Sequence, residues 1–380
     1  MLLGIEEPVV DDGIDRLCQM GRLETDEVAN LEACYIPDLY DAETYISQRI
    51  SSMAEKKMRV PEQLGQMLTQ IQSETEICYA EDQMEAIRAA AEEMVLLVTG
   101  GPGTGKTTTM AGILRLFDKM HLKTQLAAPT GRAAKRLSEC TGREAQTIHR
   151  LLETQFDQES GAMCFFRDED TPLRVDAVIV DETSMVDIVL MQSLLKALPC
   201  DCRLILVGDP DQLPSVGPGN LFSDLIRSGR VKTICLTDIF RQARESLIVM
   251  NAHAVNQGQL PELGSKKRDF FFLKRTSADN LVQTIQELCS KRLPENMGIP
   301  IEQIQVLTPT KKGGAGTVHL NKLLQQTLNP PSPGKQEKTF GDIIFREGDR
   351  VMQIRNNYDI LWKKCDGSMV GAGIFNGDVG

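Results

Sequence analysis

Residues 94–107 read Met94-Val95-Leu96-Leu97-Val98-Thr99-Gly100-Gly101-Pro102-Gly103-Thr104-Gly105-Lys106-Thr107. Five apolar residues run into four glycines within six positions, and beyond Thr107 apolar side chains return at helical spacing. That order predicts a buried strand, a tight turn and a helix. Glycines let the backbone N–H groups of such a turn converge on an anion, and the helix that opens there adds the positive end of its dipole. The pattern G-x-x-x-x-G-K-[ST] is that of a phosphate-binding loop. Gly101, Pro102, Gly103, Thr104, Gly105, Lys106, Thr107 and Thr108 are the candidate nucleotide contacts. Lys106 is expected to reach the β- and γ-phosphates of a nucleoside triphosphate, and the Thr107 hydroxyl to ligate Mg²⁺.

Working outward, apolar runs at 124–128, 177–180 and 203–207 alternate with helical patterns at 81–93, 107–120 and from 131. Strands alternating with helices predict a parallel sheet covered on both faces. The run 178–180 delivers Asp181 and Glu182 to a strand end. There Asp181 is expected to hold the metal and Glu182 to polarise an attacking water, as phosphoryl transfer requires. Alone, a strand ending in two acids is common; with the glycine loop upstream the pair predicts triphosphate hydrolysis. Gln212, after 206–211, is placed to sense the γ-phosphate. Thr130 and Arg132 sit at a strand end and helix start, an arrangement suited to nucleic-acid phosphate. Arg241, in Ile239-Phe240-Arg241-Gln242, opens what reads as a second unit and could reach the triphosphate.

Charge and composition narrow the class. With 41% hydrophobic and 25% charged residues over 380 positions, the chain reads as ordinary globular protein of two or three domains. Residues 1–80 hold 16 of the 53 acidic residues and 6 of the 42 basic ones, so nearly all of the net charge of −11 sits there. The remainder is close to neutral, and local basic clusters there suffice to hold a phosphate backbone. The ten cysteines show no paired CxxC spacing, which speaks against a zinc site or a disulfide framework. No apolar stretch approaches the roughly 20 residues of a membrane span, and residues 1–10 carry no signal-peptide pattern, so no membrane role and a cytoplasmic location are expected.

The domain reading follows: a small helical domain over 1–76, a first α/β domain over 77–232 with a polar hairpin excursion about 154–175, a second unit over 233–340, and short strands over 341–380. Within the second unit, helices are predicted over 246–256, 278–290 and 318–327, and strands over 305–308, 342–345 and 350–354. Phe270-Phe271-Phe272 reads as core strand.

At these residues the sequence resembles the superfamily 1 helicases, and within them the RecD-like, 5′→3′ branch of stand-alone bacterial DNA helicases. The likeness covers most of 35–380. It rests on GGPGTGKTTT, DETSMVD at 181–187, GDPDQLPSVGPG at 208–219 and IFRQ at 239–242, with TPTKKGGAGTVHLN at 308–321 and GDRVMQIRNNYD at 348–359 less specific. The resemblance implies two RecA-like P-loop NTPase domains with parallel sheets, the second incomplete, and a small β-barrel insertion beginning near 341. By that likeness Gln83 sits at the adenine, while Gln212 and Arg241 contact the γ-phosphate. Thr130, Arg132, His149, Thr308 and Lys311 then face DNA, and the excursion near 165–171 is the pin that splits the duplex. His149 reads equally as a satisfied structural histidine, and Lys311 as a solvated loop residue.

The implied activity is ATP-dependent translocation on single-stranded DNA and unwinding of tailed duplex DNA, in repair or recombination and alongside other DNA-repair proteins. Relatives continue with a His-Lys-Ser-Gln-Gly type motif and a Thr-Arg motif that these residues lack, so the chain reads as a fragment with weak turnover. An ATP- and DNA-binding module without productive turnover is the alternative reading, and an RNA helicase of the same superfamily a third.

Overall fold

The computed structural model describes residues 6–28, 30–75, 77–156, 163–238, 245–264, 269–354, 357–363, 370–374 and 378–380. Two compact units emerge, Met1–Glu262 and Leu263–Gly380.

The first unit is built on six parallel strands. In chain order its elements are helix α1 (Glu7–Gln19), hairpin strands β1 (Glu24–Val28) and β2 (Leu31–Tyr35), helices α2 (Pro37–Glu55), α3 (Leu64–Thr75) and α4 (Glu81–Glu92), then strand β3 (Val95–Thr99). Next come α5 (Lys106–Lys119), β4 (Thr124–Ala128), α6 (Gly131–Thr141), β5 (Ala145–Thr147), α7 (Ile148–Leu151) and the hairpin β6 (Thr154–Phe156) and β7 (Met163–Phe165). The series closes with β8 (Ala177–Val180), α8 (Ile188–Ala197), β9 (Arg203–Gly208), α9 (Leu221–Ser228), β10 (Lys232–Cys235) and α10 (Leu247–Asn256).

The sheet order is β10-β3-β9-β8-β4-β5, every pairing parallel. Its central strands are apolar on both faces because helices cover both. Val95 and Leu97 of β3 join one core with α2, α8 and α9, while Leu96 and Val98 join the other with α3, α4 and α5. Register decides the site. Thr99 pairs with Gly208, and Val180 pairs with both Leu206 and Ala127. The carboxyl ends of β3, β9, β8 and β4 therefore finish level along one edge, where open α/β sheets place their ligands.

Two expectations change here. Residues 1–76 do not form a helical domain apart: Ala42, Ile46, Ile50 and Met53 of α2 are buried in one core, and Leu64, Leu68 and Ile71 of α3 in the other. A two-stranded β1–β2 hairpin precedes them. Second, 232–235 is not the start of another unit. It is β10, which pairs Lys232 with Leu96 and Cys235 with Thr99 at the sheet edge, and the unit runs on to Glu262. An edge strand of four residues with exposed Lys232 and Cys235 lacks the continuous apolar signature of its neighbours. After 154 a hairpin is present, β6 with β7 antiparallel, and residues 157–162 between them lie outside the described residues.

The second unit contains helices Ala278–Glu287, Leu293–Met297 and Thr317–Leu328, then antiparallel pairs β11 (Glu337–Phe340) with β12 (Ile343–Arg346) and β13 (Asn357–Lys363) with β14 (Val370–Ile374). No parallel strand pair occurs among its described residues. Residues 305–308 and 350–354 are not strands there, apart from one bridge between Met352 and Val379. A short apolar run becomes a strand only with a partner to receive its backbone bonds. Phe271 and Phe272 are exposed, at 49% and 53%, rather than core.

Candidate nucleotide site

The phosphate loop follows β3. Gly103 and Gly105 take left-handed φ of 78° and 81°, which glycine adopts without steric cost. The loop's carbonyls are engaged one by one. Lys106 Nζ donates to the Gly100 carbonyl, and to that of Gly101 at 3.1 Å. Thr104 Oγ1 donates to Gly101 O at 2.9 Å, and Thr109 Oγ1 to Gly105 O at 3.1 Å. In a loop of this kind the backbone N–H groups are what an anion meets.

Gln83 lies against this loop, 1% exposed. Its amide nitrogen is 3.4 Å from the carbonyls of both Thr104 and Gly105, and its oxygen accepts the Ala80 N–H at 3.1 Å. The side chain thus also satisfies the Ala80 N–H at the start of α4, a structural duty that no sequence motif suggests.

Asp181 follows β8. Its Oδ1 accepts the Glu182 N–H at 2.9 Å, and its own N–H donates to Ala127 O at 3.0 Å. Burial pushes its carboxyl up to about 6, and the neighbouring Glu182 carboxylate adds to the rise. The Glu182 amide, Lys106 and Arg136 oppose it. Glu182 has φ of 52°, a conformation costly to a non-glycine residue, and its Oε2 is buried with no protein partner. A raised carboxylate beside an orphaned carboxylate oxygen is a donor set suited to a hard divalent cation. No group of three or more His, Cys, Asp or Glu that could hold a metal occurs among the described residues, so the pair stands without a third protein carboxylate.

The loop after β9 carries Gln212, which is exposed, with its N–H on Asp209 O at 3.2 Å. Arg241 lies outside the described residues. Thr130 is the N-cap of α6, its Oγ1 accepting the Ala133 N–H at 3.2 Å. Arg132, Lys135 and Arg136 are exposed along the first turns of the same helix. His149, after β5, is half-buried with its ring 5.8 Å from that of Phe165. Burial lowers its pKa, against an opposing pull from Asp187. Thr308 and Lys311 belong to the second unit. Thr308 Oγ1 closes a turn on Ala315 O at 2.8 Å, and Lys311 is exposed.

One residue was not anticipated. His253 of α10 stands on the phosphate loop, Nε2 3.2 Å from Pro102 O, while Asn256 of the same helix donates to Asp211 Oδ2 at 2.6 Å. It lies about 150 positions from the loop, on a helix whose sequence has no motif, so only the folded chain reveals it.

A parallel sheet, a glycine loop opening a helix, and an Asp-Glu strand end level with it define the core of a P-loop nucleoside triphosphatase. The AAA domain family matches residues 83–218. The family described as the ATP-dependent RecD-like DNA helicase SH3 domain matches 320–380. The ATP-dependent RecD2 DNA helicase of Deinococcus radiodurans is 37% identical over 281 residues, covering 74% of this chain and 36% of the relative. The RecBCD enzyme subunit RecD of Mycolicibacterium smegmatis is 41% identical over 169 residues, 38% of this chain and 30% of that one. The chain is thus similar to RecD-like helicases, and it spans about a third of the length of these relatives. The crystal structure of Pif1 helicase from Candida albicans shares 20% identity at a TM-score of 0.35, covering 56% of this chain and 55% of that one, a likeness too loose to bear on the site. No described helix is long and apolar enough to cross a membrane.

Proposed function

We propose that the chain is the ATP-handling part of a 5′→3′ RecD-like DNA helicase, cytoplasmic, acting on single-stranded and tailed duplex DNA with other DNA-repair proteins. The observation that carries this is the level edge of the sheet. It gathers the Lys106 loop, Asp181 and Glu182, and the Gln212 loop at the ends of three adjoining strands.

Lys106 exchanges the Gly100 and Gly101 carbonyls for phosphate oxygens when ATP enters. Thr107 and Asp181 would hold Mg²⁺, which neutralises phosphate charge. Glu182, with one buried oxygen unpartnered, orients and deprotonates the attacking water. Gln212 and Arg241 contact the γ-phosphate, so that hydrolysis changes the affinity of one conformation over another and moves the strand. Gln83 sits at the adenine. Thr130, Arg132 and His149 in the first unit, and Thr308 and Lys311 in the second, contact DNA, with the β6–β7 hairpin as the pin.

The test is ATP hydrolysis by this chain with and without single-stranded DNA, beside Lys106→Ala and an RNA oligomer of the same sequence. Stimulation by DNA that is lost in Lys106→Ala is expected. Equal stimulation by RNA would transfer the reading to an RNA helicase, and absence of ATP binding would sink it.

A further inference from the structure

We infer that His253 is a positioning residue of the nucleotide site, holding the phosphate loop in its binding-competent shape. This deepens the reading of that loop as a triphosphate site and rests on it.

A phosphate cradle works only if carbonyl oxygens are kept out of it, because an inward carbonyl repels a phosphate oxygen and removes a donor. Most of the loop's carbonyls are held from within the loop or the flanking helices. Gly100 O and Gly101 O are taken by Lys106, Gly101 O also by Thr104, Thr104 O by Gln83, and Gly105 O by Gln83 and Thr109. Pro102 O, near the crest, is held from outside them, by His253 at 3.2 Å. With Nε2 carrying the proton, the imidazole donates there. Its Cε1 also lies where a Cβ on Gly101 would come within 2.8 Å, so the ring closes over the second glycine of the loop.

The two contacts differ in what they do during binding. Lys106 must release its carbonyls to reach phosphate. His253 has no such duty, and its bond to Pro102 O persists while the others exchange. Helix α10 is anchored for the task. Asn251, 6% exposed, exchanges two bonds with the Glu262 backbone, to its carbonyl at 3.1 Å and from its N–H at 2.7 Å. Asn256 grips Asp211, next to Gln212, at 2.6 Å. The helix thus braces the phosphate loop and the Gln212 loop together, with His253 as the contact on the phosphate side.

The experiment compares His253→Leu, which fills the space without a donor, with His253→Gln, whose amide can donate as Nε2 does. ATP affinity is measured by calorimetry on the whole chain, with Lys106→Ala alongside and thermal midpoints recorded. A weakening of about tenfold in the Leu variant is expected, the scale of one lost hydrogen bond. Recovery to within about threefold of wild type is expected in the Gln variant, at equal thermal midpoints. Wild-type affinity in the Leu variant, or equal loss in Leu and Gln, would overturn the inference while ATP binding lost in Lys106→Ala leaves the site itself standing. Absence of ATP binding by the wild type would overturn both.

Discussion

Asp181 and Glu182 are locked to one another: Asp181 Oδ1 accepts the Glu182 N–H at 2.9 Å while Glu182 turns into left-handed backbone at φ 52°. The turn stops β8 at Val180, so Asp181 and Glu182 leave the alternation of the strand. Consecutive residues in an extended strand would instead face opposite sides of the sheet. The strain of such a conformation, of order 1–3 kcal/mol, is tolerated where surrounding structure fixes it and is concentrated at functional sites.

From this geometry the two acids should separate on mutation. If Glu182 is the base as proposed, Glu182→Gln removes it and keeps the shape, so DNA-stimulated kcat should fall by about 10²–10⁴ with ATP binding retained. Steady-state turnover beside equilibrium ATP binding reads both quantities. A kcat within a few-fold of wild type would remove Glu182 from the chemistry.

Gly101→Ala tests the packing of the loop. The new Cβ would lie 2.8 Å from His253 Cε1, so ring or loop must shift, at a cost of about 1–3 kcal/mol. Weaker ATP binding is expected, and the loss should shrink when His253 is also replaced by Ala. Purely additive losses in that double-mutant cycle would show that the two residues do not meet.

Much of this site is readable from sequence because its strongest signal is local. Strand, glycine turn and helix from 95 to 119 are consecutive, and each segment's preference agrees with the fold. What was not readable is what depends on distant partners. His253 meets Pro102 only through the folding of α10, and β10 is a strand only because Leu96 to Thr99 offers it an edge. The β1–β2 hairpin is hidden for another reason. Glu24-Thr25-Asp26-Glu27-Val28 is exposed throughout, with no apolar alternation to betray a strand. Its one clue is Asn30, at φ 62° in a conformation that asparagine tolerates. Conversely 305–308 carries an apolar pair, Val306 and Leu307, of the kind a strand uses, yet pairs with nothing among the described residues, and Leu307 stands 87% exposed.

Thiol chemistry should sort the described cysteines by burial. Burial first, then the Asp176 charge, push the Cys202 thiol from an ordinary 9.0 up to about 12. Because the folded value is the higher one, the neutral thiol favours the fold fully below about pH 9, and that contribution is lost as pH rises toward 12. At pH 8 an alkylating reagent should label Cys34, Cys78, Cys140, Cys200 and Cys235, which are exposed, and spare Cys202 and Cys289 until denaturant is added. Peptide mass spectrometry reads this directly, and rapid native labelling of Cys202 would contradict its placement in the core.

Thr130 and Arg132 start the same helix but should fail in different ways. The Thr130 hydroxyl caps α6 by accepting the Ala133 N–H, so Thr130→Ala should cost about 1 kcal/mol of stability whatever it does to DNA binding. Arg132 is exposed, and its replacement by Ala should leave the thermal midpoint unchanged. If it neutralises a DNA phosphate, its loss should weaken single-stranded DNA binding at low salt and flatten the logarithmic salt dependence by about 0.7, the increment of one contact on a single strand. Salt titrations of both variants, each beside its thermal midpoint, separate a helix cap from a phosphate contact. An unchanged salt slope in Arg132→Ala would take that residue off the DNA path, and a lowered thermal midpoint would recast it as a packing residue.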